Sequence, residues 1–174
     1  MIELGNITLR NWQEKDIKSL SRNANNKNIW DMLRDEFPFP YTELAAKQWI
    51  TIANKSYPAT NFAIVYKGSA IGGIGVEIQC DVYRQNAEIG YWLGEKYWNK
   101  GIVTKALKAM TEYAFETFDI TRIFAHVFES NIASIRLLNR CGFTEEACLK
   151  RSIIKNDKVQ DCYIYSILKQ DNSG

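Results

Sequence analysis

The sequence is poor in the residues that build metal, disulfide and membrane proteins. It has one histidine, His126, and four cysteines, Cys80, Cys141, Cys148 and Cys162, with no CxxC pair among them. A zinc framework needs about four such ligands at short spacings, so none is expected here. Scattered thiols of this kind point to a reducing, bacterial-type cytoplasm. The N-terminus, MIELGNITLR, lacks the apolar core of a signal peptide, and no run approaches the roughly 18 apolar residues of a membrane span. Neither sign of charge dominates. Lys plus Arg is 22 and Asp plus Glu is 20, which leaves a formal net charge of +2. Dedicated nucleic-acid and polybasic membrane binders carry a strong basic excess, so neither partner is expected. GxxxxGK[ST] and GxGxxG are both absent, which removes the P-loop and dinucleotide-fold readings.

What remains describes an ordinary globular chain. At roughly 150 residues per domain, the 174 residues give a single domain, 1–174. Hydrophobic residues at 46% and charged residues at 24% exclude disorder as the main state. A chain of this length buries roughly 70% of its unfolded surface, enough for a core without disulfides or metals. The five Trp and nine Tyr suit either that core or a cleft with flat apolar walls.

Proline punctuates only the first third, at Pro38, Pro40 and Pro58. Ile7 to Arg10 reads as a strand, and Asp16 as the cap of a helix carrying Ile17 and Leu20. The stretch Phe37 to Thr42 is held extended by its prolines. It links that helix to a second one over Ala45 to Ile52, expected to pack Leu44 and Trp49, and forms an aromatic loop suited to facing a substrate. Phe62 to Tyr66 and Ala70 to Ile78 flank Lys67-Gly68-Ser69, a hairpin signal. Glu88 to Leu93 is a further strand. Val103, Ala106, Leu107, Met110, Ala114 and Phe118 then recur at helical spacing. Arg122 to Phe128 alternates as a strand. Ile132 to Arg140 is a helix stopped by Gly142. Phe143 to Leu149 and Cys162 to Leu168 close the chain through a turn near Asn156-Asp157. The expected architecture is α/β (α+β) around one mixed sheet.

The stretch 88–104 carries the chemistry. A strand feeds a short turn that opens directly into a helix around Gly101. Unpaired N–H groups and partial positive charge at a helix start suit a phosphate or pyrophosphate, and a glycine lets it approach the backbone. The Thr104 hydroxyl and Lys100, Lys105 and Lys108 add favourable donors and charge. The same spacing also fits a plain strand-loop-helix connection with a packing glycine.

Trp98-Asn99-Lys100-Gly101-Ile102-Val103 resembles the cofactor motif Q/R-x-x-G-x-G/A of the GNAT superfamily of N-acetyltransferases. The branch acting on ribosomal-protein alanines usually reads Tyr-Trp-Gly-Lys-Gly-Ile-Ala-Thr after a strand like Glu-Ile-Gly-Tyr-Trp-Leu. This chain keeps Tyr97, Trp98, Lys100, Gly101, Ile102 and Thr104. It departs at Asn99, which tolerates positive φ better than other non-glycine residues, and at Val103, which crowds the backbone. A second element, Asn131-Ile-Ala-Ser134 through Gly142-Phe143, is similar to the family pattern N-x-x-S/A followed by G-F. Asn131 also suits a helix cap unaided.

The resemblance implies a GNAT-like fold, a mixed, mostly antiparallel sheet of about seven strands with about four helices. It implies acetyl-CoA as cosubstrate, held by Trp92, Leu93, Asn99, Lys100, Gly101, Ile102, Val103 and Thr104, with Asn131 and Ser134 on its pantetheine arm. It further implies direct attack of an amine on the thioester, with an oxyanion met by backbone N–H near Trp92 and Leu93. The tyrosine that protonates the departing thiolate in many relatives falls at Leu138 here, which leaves Ser134 as the substitute donor. Deprotonating the amine needs a base. Glu88 on the strand is the first candidate, against a solvated or cross-strand-paired carboxylate. His126 is the second, against a structural histidine, and it faces away from Ala125 and Val127. Tyr91 and Asp161 follow, the latter as a holder of a cationic acceptor. The branch favours a peptide N-terminus as acceptor. Polyamines, aminoglycosides and a catalytically silent CoA sensor are the alternatives, in a monomer or homodimer.

Overall fold

Left-handed residues at the hairpin tips set the strands. Lys67 and Gly68 both take positive φ, 48° and 78°, and join β3 (Asn61–Tyr66) to β4 (Ser69–Ile78). Asn156 and Asp157, at 50° and 58°, do the same between β7 (Thr144–Lys155) and β8 (Lys158–Leu168). Two successive positive φ values are the mark of the type I′ turn, whose twist matches that of the strands. The computed structural model describes residues 1–170. Within them, β1 (Ile2–Glu3) and β2 (Ile7–Arg10) precede α1 (Ile17–Ala24), α2 (Lys27–Trp30) and α3 (Glu43–Ala53). After β3 and β4 come β5 (Asn86–Leu93), α4 (Ile102–Thr117), β6 (Arg122–Phe128) and α5 (Ile132–Arg140), then β7 and β8. The strands pair in the order β1-β2-β3-β4-β5-β6-β8-β7, mostly antiparallel, with β5 and β6 parallel. The eight strands and five α-helices differ from the expected seven and four only by β1 and α2. These two short elements have too few residues to show a period.

Contacts gather into two units, Met1–Gly75 with Tyr91–Ala109, and Val76–Gly90 with the chain from Met110 onward. In the first, β1, β2, β3 and β4 form an antiparallel ladder through Ile2↔Leu9, Leu9↔Ile64 and Ala63↔Gly73. One face packs Trp12, Leu20, Tyr41, Ala46 and Ile50, with Phe37, Trp49 and Trp92 against them. Leu44 does not join this core. It is 66% exposed, because α3 buries the row Ala46, Ile50 and Ala53, and Leu44 lies about half a turn away. Asp16 stands at the start of α1 without capping it. Its buried carboxylate instead accepts from both terminal nitrogens of Arg10, at 2.6 and 2.8 Å, and from the Gln13 N–H at 2.9 Å.

Gly72 marks where β4 presses on the end of β5. A Cβ there would stand 2.4 Å from the Trp92 carbonyl oxygen and 3.0 Å from the Leu93 Cα. These are backbone atoms with no rotamer to change, so Gly72→Ala is expected to destabilise the protein by about 3 kcal/mol, read as a lower denaturation midpoint. An unchanged midpoint would show that the two strands separate freely.

In the second unit, all of β6 pairs antiparallel with β8, from Arg122↔Leu168 to Phe128↔Cys162. α5 ends as its Gly142 signal requires. Gly142 has φ 90°, the Phe143 N–H reaches the Leu138 carbonyl at 3.0 Å, and the Gly142 N–H reaches Asn139 at 3.1 Å. This is the Schellman stop, with Leu138 and Phe143 both buried beneath it.

Candidate active site

The loop between β5 and α4 takes the shape its composition allows. A 3-10 turn over Glu95–Tyr97 follows Gly94, and the Trp98 indole N–H closes back on the Leu93 carbonyl at 2.7 Å. Asn99 then adopts φ 60° and Gly101 φ 71°. Asn99 thus supplies the left-handed turn that a glycine would otherwise provide. The Gly101 carbonyl accepts from the Lys105 N–H at 3.3 Å, which makes Gly101 the N-cap of α4. It has no side chain to cap the first turn, and the N–H groups that open a helix have no intrahelical acceptor. A Cβ on Gly101 would meet nothing within 4 Å, so the space before Ile102 and Val103 is open. The Lys100 ammonium folds back onto the Lys96 carbonyl at 2.9 Å and over the Tyr97 ring. Lys105 lines a shallow cavity with Asn6, Tyr66, Tyr97, Lys100 and Ile102.

In the second unit, the parallel pairing of β5 and β6 runs from Asn86↔Arg122 to Glu88↔Phe124, although β6 itself continues to Phe128. Past that point Gly90 is exposed, with nothing within 4 Å of the place a Cβ would take. A glycine inside a strand with open space beside it permits another chain or ligand to come close. At the end of the ladder, Glu88 and His126 meet. The His126 Nδ1 lies 2.9 Å from the Glu88 Oε1. An ionised carboxylate can only accept, so a neutral His126 paired with an ionised Glu88 carries its hydrogen on Nδ1 and its lone pair on Nε2. The ring is steadied along β6 by Phe124, edge-to-face at 5.5 Å, which itself lies under the Arg122 guanidinium at 4.7 Å. Ala125 and Val127 point into the core and His126 outward, as the alternation predicts. In the sequence Glu88 and His126 are two competing bases; in the fold they are one pair. Joining them takes the parallel register, which no local sequence signal states.

Asn131 caps α5, its Oδ1 accepting from the Ser134 N–H at 3.1 Å. The capping role therefore uses the oxygen and leaves the amide nitrogen to donate. Leu138 is fully buried, so that position offers no proton donor and belongs to the core. Arg136 and Arg140 are exposed, a solvated face of α5. Asp161 is paired within its own hairpin. Its carboxylate accepts from Lys150 Nζ and from the Arg151 N–H, both at 2.8 Å, and these hold its pKa below the usual carboxylate range. Arg151 is left-handed, at φ 53°, in the irregular stretch of β7 between Leu149 and Ile153. Asp161 clamps that irregularity, with its carboxylate paired to Lys150.

The aromatic loop of the first unit is tightly built. Phe37 contacts Tyr41 at 4.9 Å and Trp92 at 5.8 Å, and Phe39 contacts Trp30 at 5.7 Å. Burial pushes the Tyr41 hydroxyl up to about 12. The loop thus lies beside Trp92, at the end of the strand that leads into the turn before α4.

The acetyltransferase (GNAT) domain model matches residues 6–144 of this chain. The chain belongs to the GNAT acetyltransferase family. It is accordingly an N-acetyltransferase with acetyl-CoA as acyl donor. Among its relatives, the uncharacterized N-acetyltransferase p20 of Bacillus licheniformis is 32% identical over 141 residues, 78% of this chain and 79% of that one. The ribosomal-protein-serine acetyltransferase of Escherichia coli is 31% identical over 108 residues, 62% of this chain and 60% of that one. The crystal structure of the microcin C7 self-immunity acetyltransferase MccE, in complex with acetyl-CoA and AMP, superposes with a TM-score of 0.82 at 28% identity. It covers 95% of this chain and 94% of that one. No helix among the described residues is long and apolar enough to cross a membrane.

Proposed function

We propose that His126, held by Glu88, is the general base for direct attack of an amine on acetyl-CoA. The 2.9 Å pairing at the end of the parallel ladder carries this reading. The pyrophosphate takes the N–H groups opening α4, with Asn99, Lys100 and Gly101 shaping the approach and Ile102, Val103 and Thr104 forming the first turn. Pantetheine follows the β5 backbone at Trp92 and Leu93, with Asn131 and Ser134 as further contacts. Simple amines are protonated near pH 7, so the nucleophile must first lose a proton. His126 Nε2 takes it, and the Glu88 carboxylate stabilises the imidazolium that results. The neutral nitrogen adds to the thioester carbon, and the developing oxyanion meets a backbone N–H near Trp92 and Leu93. Collapse breaks the carbon–sulfur bond. A thiol with a pKa of roughly 8.5 leaves moderately well as thiolate, and the proton that the nitrogen sheds in becoming an amide reaches the sulfur through the Ser134 hydroxyl, which gives one proton and takes the other.

The acceptor we favour is a peptide N-terminus of a ribosomal protein, entering beside the Phe37 to Tyr41 loop. The relative acting on a ribosomal protein supports this class, and the aromatic loop supports an acceptor with apolar side chains. The whole chain would be one such domain working in the cytoplasm, as a monomer or homodimer. Thiol release from acetyl-CoA, measured with N-terminal peptides, polyamines and aminoglycosides in parallel, tests the choice. The peptide arm is expected to give the highest kcat/KM, and faster turnover of spermidine or an aminoglycoside would reassign the acceptor.

A further inference from the structure

Four asparagines crowd the junction of α1 and α2, and each makes a different tie. Buried Asn23 donates its amide to the Ser19 carbonyl at 2.9 Å and the Ala70 carbonyl at 3.1 Å. Its Oδ1 presses on Gly94, where a Cβ would come within 3.0 Å. The Asn25 oxygen accepts the Tyr41 N–H at 3.0 Å, and Tyr41 belongs to the aromatic loop. The Asn26 oxygen caps α2 by accepting from the Asn28 and Ile29 N–H groups. The Asn26 amide nitrogen donates to one oxygen of Glu95 at 2.6 Å, and the Asn28 amide to the other at 2.9 Å. Glu95 opens the turn that becomes the cofactor loop.

A helix as short as α2 has little stability of its own, so its position depends on such ties. Only a carboxylate offers two oxygens that accept both amides at once. On one side of this junction stands the loop proposed for the pyrophosphate, and on the other the loop proposed for the acceptor. Both lie in the same unit of the fold.

We propose that Glu95 is a positioning residue that couples acetyl-CoA binding to the order of the acceptor-side aromatic loop. Ordering of residues 95–104 by the cofactor passes through Asn26 and Asn28 to α2 and Trp30, and through Asn25 to Tyr41. By linkage, an ordered acceptor loop tightens the cofactor by the same factor. The proposal rests on the pyrophosphate and acceptor placements given above.

The test is amide hydrogen exchange over residues 26–41 in the full chain, with and without CoA. Wild type, Glu95→Ala, Glu95→Gln and Asn28→Ala are compared. CoA should slow exchange across this segment by about fivefold or more in wild type. Glu95→Ala should lose that slowing while still binding CoA, and Asn28→Ala should lose part of it with the α2 cap intact. Glu95→Gln keeps one acceptor oxygen and should restore part of it. Equal slowing in wild type and Glu95→Ala, or CoA bound to wild type with no slowing, overturns the coupling alone. Failure of wild type to bind CoA overturns the pyrophosphate placement and the coupling with it. If Glu95→Ala does not fold, slowing in Asn28→Ala equal to that of wild type overturns the coupling instead.

Discussion

Gly101→Glu is expected to abolish CoA binding and leave the fold standing. Two effects combine at this position. Gly101 has φ 71°, a conformation that costs an L-residue about 1–2 kcal/mol. A carboxylate there would also stand before the helix start where a pyrophosphate is to sit, replacing an attractive end of the dipole with a like charge. Gly101→Ala separates the two. Its Cβ meets nothing within 4 Å, so only the backbone strain applies. Calorimetric titration with CoA should show about a tenfold loss for the alanine variant and more than about a hundredfold for the glutamate, or about 3 kcal/mol. Both variants should unfold within a few degrees of wild type, because strain of this size shifts a chain of this length by about 2–4 °C per kcal/mol. Unchanged affinity in Gly101→Glu would remove the pyrophosphate from this loop.

The second large effect is expected at the paired base. His126→Ala should lower kcat by about a hundred- to a thousandfold, with the KM for acetyl-CoA nearly unchanged. Glu88→Gln keeps a hydrogen-bonding group but not the charge that stabilises the imidazolium, so a smaller loss, about tenfold or more, is expected. The double variant should be scarcely worse than His126→Ala, because two groups acting as one unit are strongly non-additive. The pH profile gives an independent reading. A base works when deprotonated, so kcat/KM in wild type should rise with pH along an acid limb. His126→Ala should lose that acid limb. Additive losses, or an acid limb retained in His126→Ala, would return the role to Glu88 or to a water chain.

Much of the fold is legible in the residues because local chemistry decides it. The left-handed hairpin tips, the alternation of β6 and the glycine stop of α5 each follow from a few adjacent side chains. Asn99 reads the same way, since its tolerance of positive φ is a property of the residue itself. The features that escape depend on distant parts of the chain. β1 gains its identity only from Leu9 and Thr8 opposite it, and α2 only from the ties of Asn26 and Asn28. Leu44 resembles core by composition, but the phase of α3 is set by Ala46, Ile50 and Ala53. Asp161 is available in the sequence and is matched only when the fold sets Lys150 and the Arg151 N–H against it. Glu88 and His126 lie far apart in sequence and meet through the register of a parallel pair. No single motif points to the asparagine junction, because its partners are scattered along the chain: Ser19 and Ala70 for Asn23, Tyr41 for Asn25, and Glu95 for both Asn26 and Asn28.

Direct transfer of acetyl from acetyl-CoA to an amine that His126 has deprotonated is the reaction we propose for this chain. Its most direct test follows thiol release and intact mass together, with acetyl-CoA alone and then with an acceptor amine. Negligible thiol release and no mass change of the protein are expected until the amine is added. Thiol should then appear in step with acetylated amine, with the chain still unmodified. An acetyl adduct on the protein before the amine arrives, or tight binding of acetyl-CoA with no turnover on any amine, would contradict it.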